Sequence, residues 1–425
     1  MPRAAKFILI AVLFVATFYA PTLKLGQNLK LWHNQDSSHV EKSDLEQVVV
    51  TSEAPNNAID SKKTIGQNIV PSLKSIQECL AKTGEIGNCL DKLFGDFFDK
   101  GGTTAEALAA ARKYENEDTN FRYSCHPVMH AIGRETFQRH PNVSDSFQLC
   151  DQTCHSGCYH GAMERFLRGD MAASDEAGHI SEDELKAKTV SACDTNQPTR
   201  FRFQCLHGLG HALVFFLDYK LERALGTCDL LQDQWSRSSC YGGAFMENVF
   251  SATPQKRDLS ATDYHYPCSK LASKYKSDCY VMQTTRMTEM GLSTERLFEE
   301  CKKAGLPAEP GEYKLQCMQS IGRDFSNDAR VREPEFTSKR CEMVSGEDRN
   351  ACIRGVIYAL MDNTWDGKYA FPFCNSFSGQ EDTSYCFKNS ANYLKNVLAR
   401  SNNDLRADCK KYSPSPETCY SLAGI

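Results

Sequence analysis

The 425-residue sequence predicts an all-α chain, an α-solenoid-like array of disulfide-stapled helical hairpins behind an N-terminal membrane anchor. Three observations carry that expectation. First, from Cys193 onward the cysteines fall into seven consecutive pairs: Cys193/Cys205, Cys228/Cys240, Cys268/Cys279, Cys301/Cys317, Cys341/Cys352, Cys374/Cys386 and Cys409/Cys419. Their second members recur every 33 to 39 residues, the period of stacked two-helix units. Second, an apolar helix-competent segment follows each second cysteine (244–250 and 355–361 are examples), and another periodic segment precedes each first cysteine, as at 221–225. The loops between paired cysteines carry Gly, Pro, Ser and Asp. Third, an apolar run at 7–23 follows a short basic segment.

Residues 1–6, with Arg3 and Lys6, read as a cytoplasmic tail, and 7–23 as a signal anchor. Phe18 stands where cleavage before position 21 would require a small residue, so an uncleaved anchor is expected. That single pass would place the bulk of the chain outside the cytoplasm, in a periplasm or an endoplasmic reticulum or Golgi lumen. Residues 24–74 are rich in Asn, Gln, Ser and charge without an apolar period, and read as a flexible stem. Residues 75–425 are the expected helical repeat domain.

Twenty cysteines suit an oxidising compartment, and their even number leaves no thiol for nucleophilic chemistry. Cys79/Cys89 is an eighth pair of the same kind. Cys125, Cys150, Cys154 and Cys158 allow three connectivities; by analogy with the other pairs, Cys150 joins Cys158 and Cys125 joins Cys154. Closing loops of about 12 residues contributes roughly 3 kcal/mol per bridge in the chain-entropy account.

The chemistry concentrates in 125–250. The segment Cys-Leu-His-Gly-Leu-Gly-His (205–211) puts His207 and His211 four residues apart, on one face of a helix opening near Cys205. The phrase recurs as His126 and His130 after Cys125, and as His160 and Glu164 after Cys158. A fourth copy, 240–247, keeps only Glu247. His126, His130, His160, Glu164, His207, His211 and Glu247 are therefore the candidate metal ligands, a set that suits two adjacent ions or one ion with a second shell. Imidazole-rich donors favour copper or iron, with zinc possible, and Glu164 and Glu247 are candidate catalytic bases. Glycines beside the ligands, at 161, 208, 242 and 243, suggest close backbone packing around the site. Pro127 is expected in the first turn of its helix, which would make His126 a cap residue. Met129, Met163 and Met246 each precede a ligand candidate and are assigned to the core, since adjacent helical residues point about 100° apart.

Several residues are assigned away from the site. Cys150 and Cys154 before His155 have one residue too many between them for haem attachment; no haem is expected, and His155 reads as exposed. His179 and His265 read as exposed loop residues, and Gln283, Arg286, Gln319, Arg323, Asp324 and Arg354 as solvated faces. A net charge of −5 without a basic block gives no footprint for nucleic acid. No nucleophile elbow, P-loop, dinucleotide fingerprint or His-Glu-x-x-His is present. The functional expectation is a membrane-anchored copper- or iron-dependent oxidoreductase. A metal-dependent hydrolase on the same residues is one alternative. A non-enzymatic solenoid holding a peptide or protein in its concave groove is the other, disfavoured because the His and Glu pairs stop after the fourth copy instead of spreading along the array.

Overall fold

The computed structural model describes residues 70–82, 84–169, 181–193, 198–251, 254–305 and 311–425. The expected tail, anchor and nearly all of the stem lie outside these residues, as does His179. Among the described residues the regular structure is helical throughout, and no helix is long and apolar enough to cross a membrane.

All ten disulfides form as paired above, including Cys125–Cys154 and Cys150–Cys158, with Cα–Cα distances of 5.3 to 5.9 Å. These lie in the ordinary range for unforced bridges. In several pairs the first cysteine ends a short helix and the second sits inside the long helix that follows. Cys228 ends α9 (Leu221–Cys228) and bonds Cys240 of α10 (Gln234–Phe250); Cys301 ends α13 (Thr294–Cys301) and bonds Cys317 of α14 (Lys314–Val331). Cys341 ends α15 (Pro334–Cys341) and bonds Cys352 of α16 (Gly346–Thr364). The turns between them are closed by side-chain caps such as Asp233 on the Ser236 amide.

Two helices begin earlier than their motifs suggest. α4 spans Thr119–Arg139, so Pro127 lies inside it rather than at its start, and His126 is helical. Asp118 accepts the Phe121 amide at 2.6 Å, and the fully buried Phe121 anchors the extra turns in the core. Burial offsets the backbone bond that Pro127 removes. α8 likewise spans Thr199–Phe216, opening six residues before Cys205.

Three pairs of long helices cross with their backbones nearly touching: α4 on α6 (Thr153–Arg168), α8 on α10, and α14 on α16. Each crossing is made by two glycines facing each other's carbonyls. A Cβ on Gly133 would fall on the Cys158 oxygen and one on Gly161 on the His130 oxygen. Gly210 meets the Cys240 oxygen and Gly243 the His207 oxygen, while Gly322 meets the Cys352 oxygen and Gly355 the Gln319 oxygen. Only glycine fits at such an approach. A looser contact joins α6 to α8, where Gly208 lies against Met163 and the His160 backbone.

Distant parts of the chain also meet. Tyr159 of α6 stacks on Trp365 after α16 with ring centroids 6.0 Å apart, and Gln152 donates to the Thr364 carbonyl at 3.4 Å. Arg330 of α14 forms a buried ion pair with Glu115 of α3 (Thr104–Glu117). An array in which each unit touches only its neighbours makes no such contacts.

The crossings should be the most substitution-sensitive points of the fold. Gly210→Ala, which places a methyl on the Cys240 carbonyl, is expected to lower stability by roughly 3 kcal/mol or more. Gly226→Ala in α9, where a Cβ meets nothing within 4 Å, should raise it by about 0.5–1 kcal/mol. Thermal melts followed by circular dichroism at 222 nm separate the two.

Candidate metal centre

The helix crossings gather five imidazoles from three helices into one buried cluster. His126 and His130 come from α4, His160 from α6, and His207 and His211 from α8. His160 stands at the middle, its ring centroid 5.3 Å from His126, 5.6 Å from His130, 5.2 Å from His207 and 4.6 Å from His211. Two overlapping triads result, His126/His130/His160 and His160/His207/His211, each with donor atoms within 4.8 Å of one another. His160 and His211 are 2% and 1% exposed. His130 and His207 are buried as well, and His126 is half-buried.

The hydrogen bonds fix which nitrogens face inward. His126 Nδ1 donates to the Cys154 carbonyl at 2.8 Å, and His130 Nδ1 donates to Glu164 Oε1 at 2.6 Å. Both partners are acceptors, so each Nε2 is left with a lone pair, yet the two Nε2 atoms lie 2.9 Å apart. Two nitrogens bound about 2.0 Å from one ion at a right angle stand about 2.9 Å apart. A proton on His130 would satisfy this contact alone. It does nothing for the other side, where His211 Nδ1 donates to Glu247 Oε2 at 2.9 Å and its Nε2 is buried without a partner. Nor does it help His160, where neither ring nitrogen has a partner. One of those nitrogens carries a proton with nowhere to donate it. Each such buried polar atom costs about 1–3 kcal/mol, and a metal ion would satisfy them together.

The electrostatics agree. Burial is the largest cause holding the His126, His160 and His207 imidazoles well below their usual range, and neighbouring imidazoles push the same way. Neutral imidazoles in a dry site are competent ligands.

Glu164 and Glu247 stand one layer out, with both oxygens of each already bonded. Glu164 Oε2 accepts from Arg134 at 2.5 Å, and Arg134 also pairs with Asp91 at 2.6 Å. Burial alone would raise the Glu164 pKa, but His130 and Arg134 hold it far below the carboxylate range. Glu247 Oε1 accepts from the Tyr219 hydroxyl at 3.0 Å, and Tyr219 accepts from Ser251 at 2.7 Å. Asp218 and Tyr219 adopt left-handed φ values of 52° and 60°, a local strain that aims the phenol at Glu247. Each of these four oxygens accepts one hydrogen bond, with which the base role expected for the two residues would have to be shared. Their geometry is that of groups orienting metal-bound histidines.

A second strained turn serves His126. Cys154, His155 and Ser156 have φ of 50°, 58° and 62°, and their left-handed path, stapled by two disulfides, points the Cys154 carbonyl at the imidazole. Left-handed helical residues cost about 1–2 kcal/mol each. Glu115, Cys125 and Cys154 also lie close together, but both sulfurs are consumed in the disulfide.

Other residues depart from expectation. Met129 and Met163 are core residues as expected, but Met246 Sδ lies 3.4 Å from His207 Nε2. It is partly buried against the core, as expected, and reaches the His207 ring from there. His155 is half-buried instead of exposed, 6.5 Å from His126 and beside Arg330, and burial with the Arg330 and Arg323 charges pushes it down to about 3. His265 is 7% exposed and bonds Glu300 at 3.2 Å, because the loop carrying it is packed into the core at Tyr280. Gln283 is 1% exposed, donating to the Tyr264 and Tyr266 carbonyls. Arg134 could have been found, four residues after His130 on the same face; nothing in the sequence marks Tyr219.

For a histidine whose pKa is lowered on folding, the unfolded chain binds the extra proton, so stability is lost as pH falls below about 6.5. His126, His160 and His207 share that sign. Chelator-treated protein should therefore show a falling urea midpoint from pH 7 to pH 5, and His160→Leu should flatten the slope by up to about 1.4 kcal/mol per pH unit. No family model, curated sequence or solved structure matches this chain.

Proposed function

We propose that this protein is a copper-dependent oxidoreductase whose five histidines hold two ions that share His160. The observation that supports it best is the set of buried nitrogens on His160 and His211 that have no hydrogen-bond partner. His126 and His130 serve one ion and His207 and His211 the other. Met246 supports copper over iron: neutral imidazoles with a thioether at 3.4 Å from a ligand suit copper, whereas iron centres draw carboxylates into direct ligation. Copper so held supplies one-electron transfer and oxygen chemistry.

The protein's own groups do the positioning. Glu164 and Glu247 fix the tautomers and ring planes of His130 and His211, Arg134 keeps Glu164 anionic, and the Cys154 carbonyl does the same for His126. The hydrolase reading has less support because each carboxylate oxygen already accepts a hydrogen bond, which lowers its basicity toward water. The non-enzymatic reading leaves the buried nitrogens unexplained. Ten disulfides suit an extracytoplasmic location, the apolar run at 7–23 suits a single-pass anchor holding the domain there, and the cysteine period supports a repeat array, one whose distant units meet through Trp365 and Arg330.

Metal analysis of untagged protein folded in an oxidising compartment tests this. About two equivalents of copper per chain should survive dialysis. His207→Ala combined with His211→Ala should remove at least half of it while the helical circular dichroism stays intact. Absence of stoichiometric metal after reconstitution would overturn the reading. Met246→Leu should leave the stoichiometry unchanged and lower the copper reduction potential, since the thioether favours the cuprous state.

A further inference from the structure

The third helix crossing repeats the first two with different side chains. Gln319 stands three residues before Gly322, as His130 does before Gly133 and His207 before Gly210. Arg354 stands one residue before Gly355, as His160 does before Gly161. His160 lies between the histidines of α4 and α8; Arg354 lies between α14 and α18 (Gln380–Asn396), donating to Gln319 Oε1 at 3.1 Å and to the Tyr385 hydroxyl at 3.3 Å. Both partners are neutral. A half-buried guanidinium is thus held in place with no carboxylate to balance it.

This position is continuous with the metal cluster. Met246 touches His207, and Phe250 lies one turn further along α10 on the same face. Phe250 is 46% exposed, and the Arg323 guanidinium sits 5.3 Å over its ring. Arg323 follows Gln319 by one turn of α14, bonds Thr285 and Asp324, and has a buried Nε without a partner. Its charge also reaches His155, whose ring is 6.5 Å from His126. The nearby carboxylates are already engaged, Asp324 by Thr284 and Thr285, and Asp362 by the Tyr393 hydroxyl.

From this face we infer a substrate-anchoring subsite for an organic carboxylate with an apolar body: Arg354, assisted by Arg323, takes the carboxylate, and the exposed Phe250 ring takes the apolar part next to the histidine cluster. The binding stands on these residues; that the bound carboxylate is a substrate rests on the copper reading.

Calorimetric titration of the full chain with 3-phenylpropionate and its neutral isostere 3-phenylpropanamide tests it, with metal content measured on the same samples. The acid should bind saturably and about tenfold or more tighter than the amide, the worth of one charge-assisted hydrogen bond. Arg354→Met should abolish that preference without changing metal content or the helical spectrum. Gln319→Leu, which releases Arg354, should weaken acid binding. Phe250→Ala should weaken acid and amide alike and keep their ratio. Equal affinity for acid and amide, no saturable binding, or an unchanged preference in Arg354→Met would overturn the subsite. An acid preference in protein that holds no metal would support the subsite while removing the copper reading.

Discussion

Everything in the site depends on how closely the long helices approach. At each of the three crossings, two glycines lay bare the backbone and let each helix rest against the other's carbonyl oxygens. A helix pair separated by ordinary side chains sits 8–10 Å apart. At that spacing, the imidazoles of α4 and α8 could not all crowd around His160 of α6. The glycines that lower helix propensity are thus the ones that create the cluster, and packing of the buried long helices offsets their intrinsic cost of about 0.5–1 kcal/mol each.

Close packing also buries the site, and burial sets its chemistry. Burial keeps His126, His160 and His207 neutral, while the ionised Glu164 survives because Arg134 and Asp91 continue the pairing outward. The result is a layered arrangement, with lone pairs inside, Glu164 and Glu247 behind them, and the Arg134 guanidinium or the Tyr219 hydroxyl behind those. Such layering is hard to explain as simple core packing, since apolar side chains would fill the same volume without buried unsatisfied nitrogens.

The rest of the chain holds these layers in place. Left-handed turns at 154–156 and 218–219 each aim one acceptor or donor at the site, and disulfides or tertiary contacts retain conformations an isolated peptide would leave. The C-terminal half uses the same crossing with Gln319 and Arg354 in place of histidines, and returns to the N-terminal half through Arg330, Glu115 and Trp365. One backbone device therefore frames two chemically different surfaces.

Much of this was legible in the sequence for physical reasons. Disulfide partners close in sequence are dictated by chain connectivity, so regular cysteine spacing revealed eight bridges and analogy with them the other two, and helical character followed from local periodicity. Histidines four residues apart must share a helix face, which marked His126/His130 and His207/His211 as pairs. What only the tertiary structure decided is where those faces meet and what surrounds them. Pro127 is helical because Phe121 is buried, Met246 reaches His207, and Tyr219 reaches Glu247 across 28 positions. His155 and His265 are enclosed by segments remote in the chain. Burial and long-range pairing are properties of the folded surface that a side chain faces, and no local pattern encodes that surface.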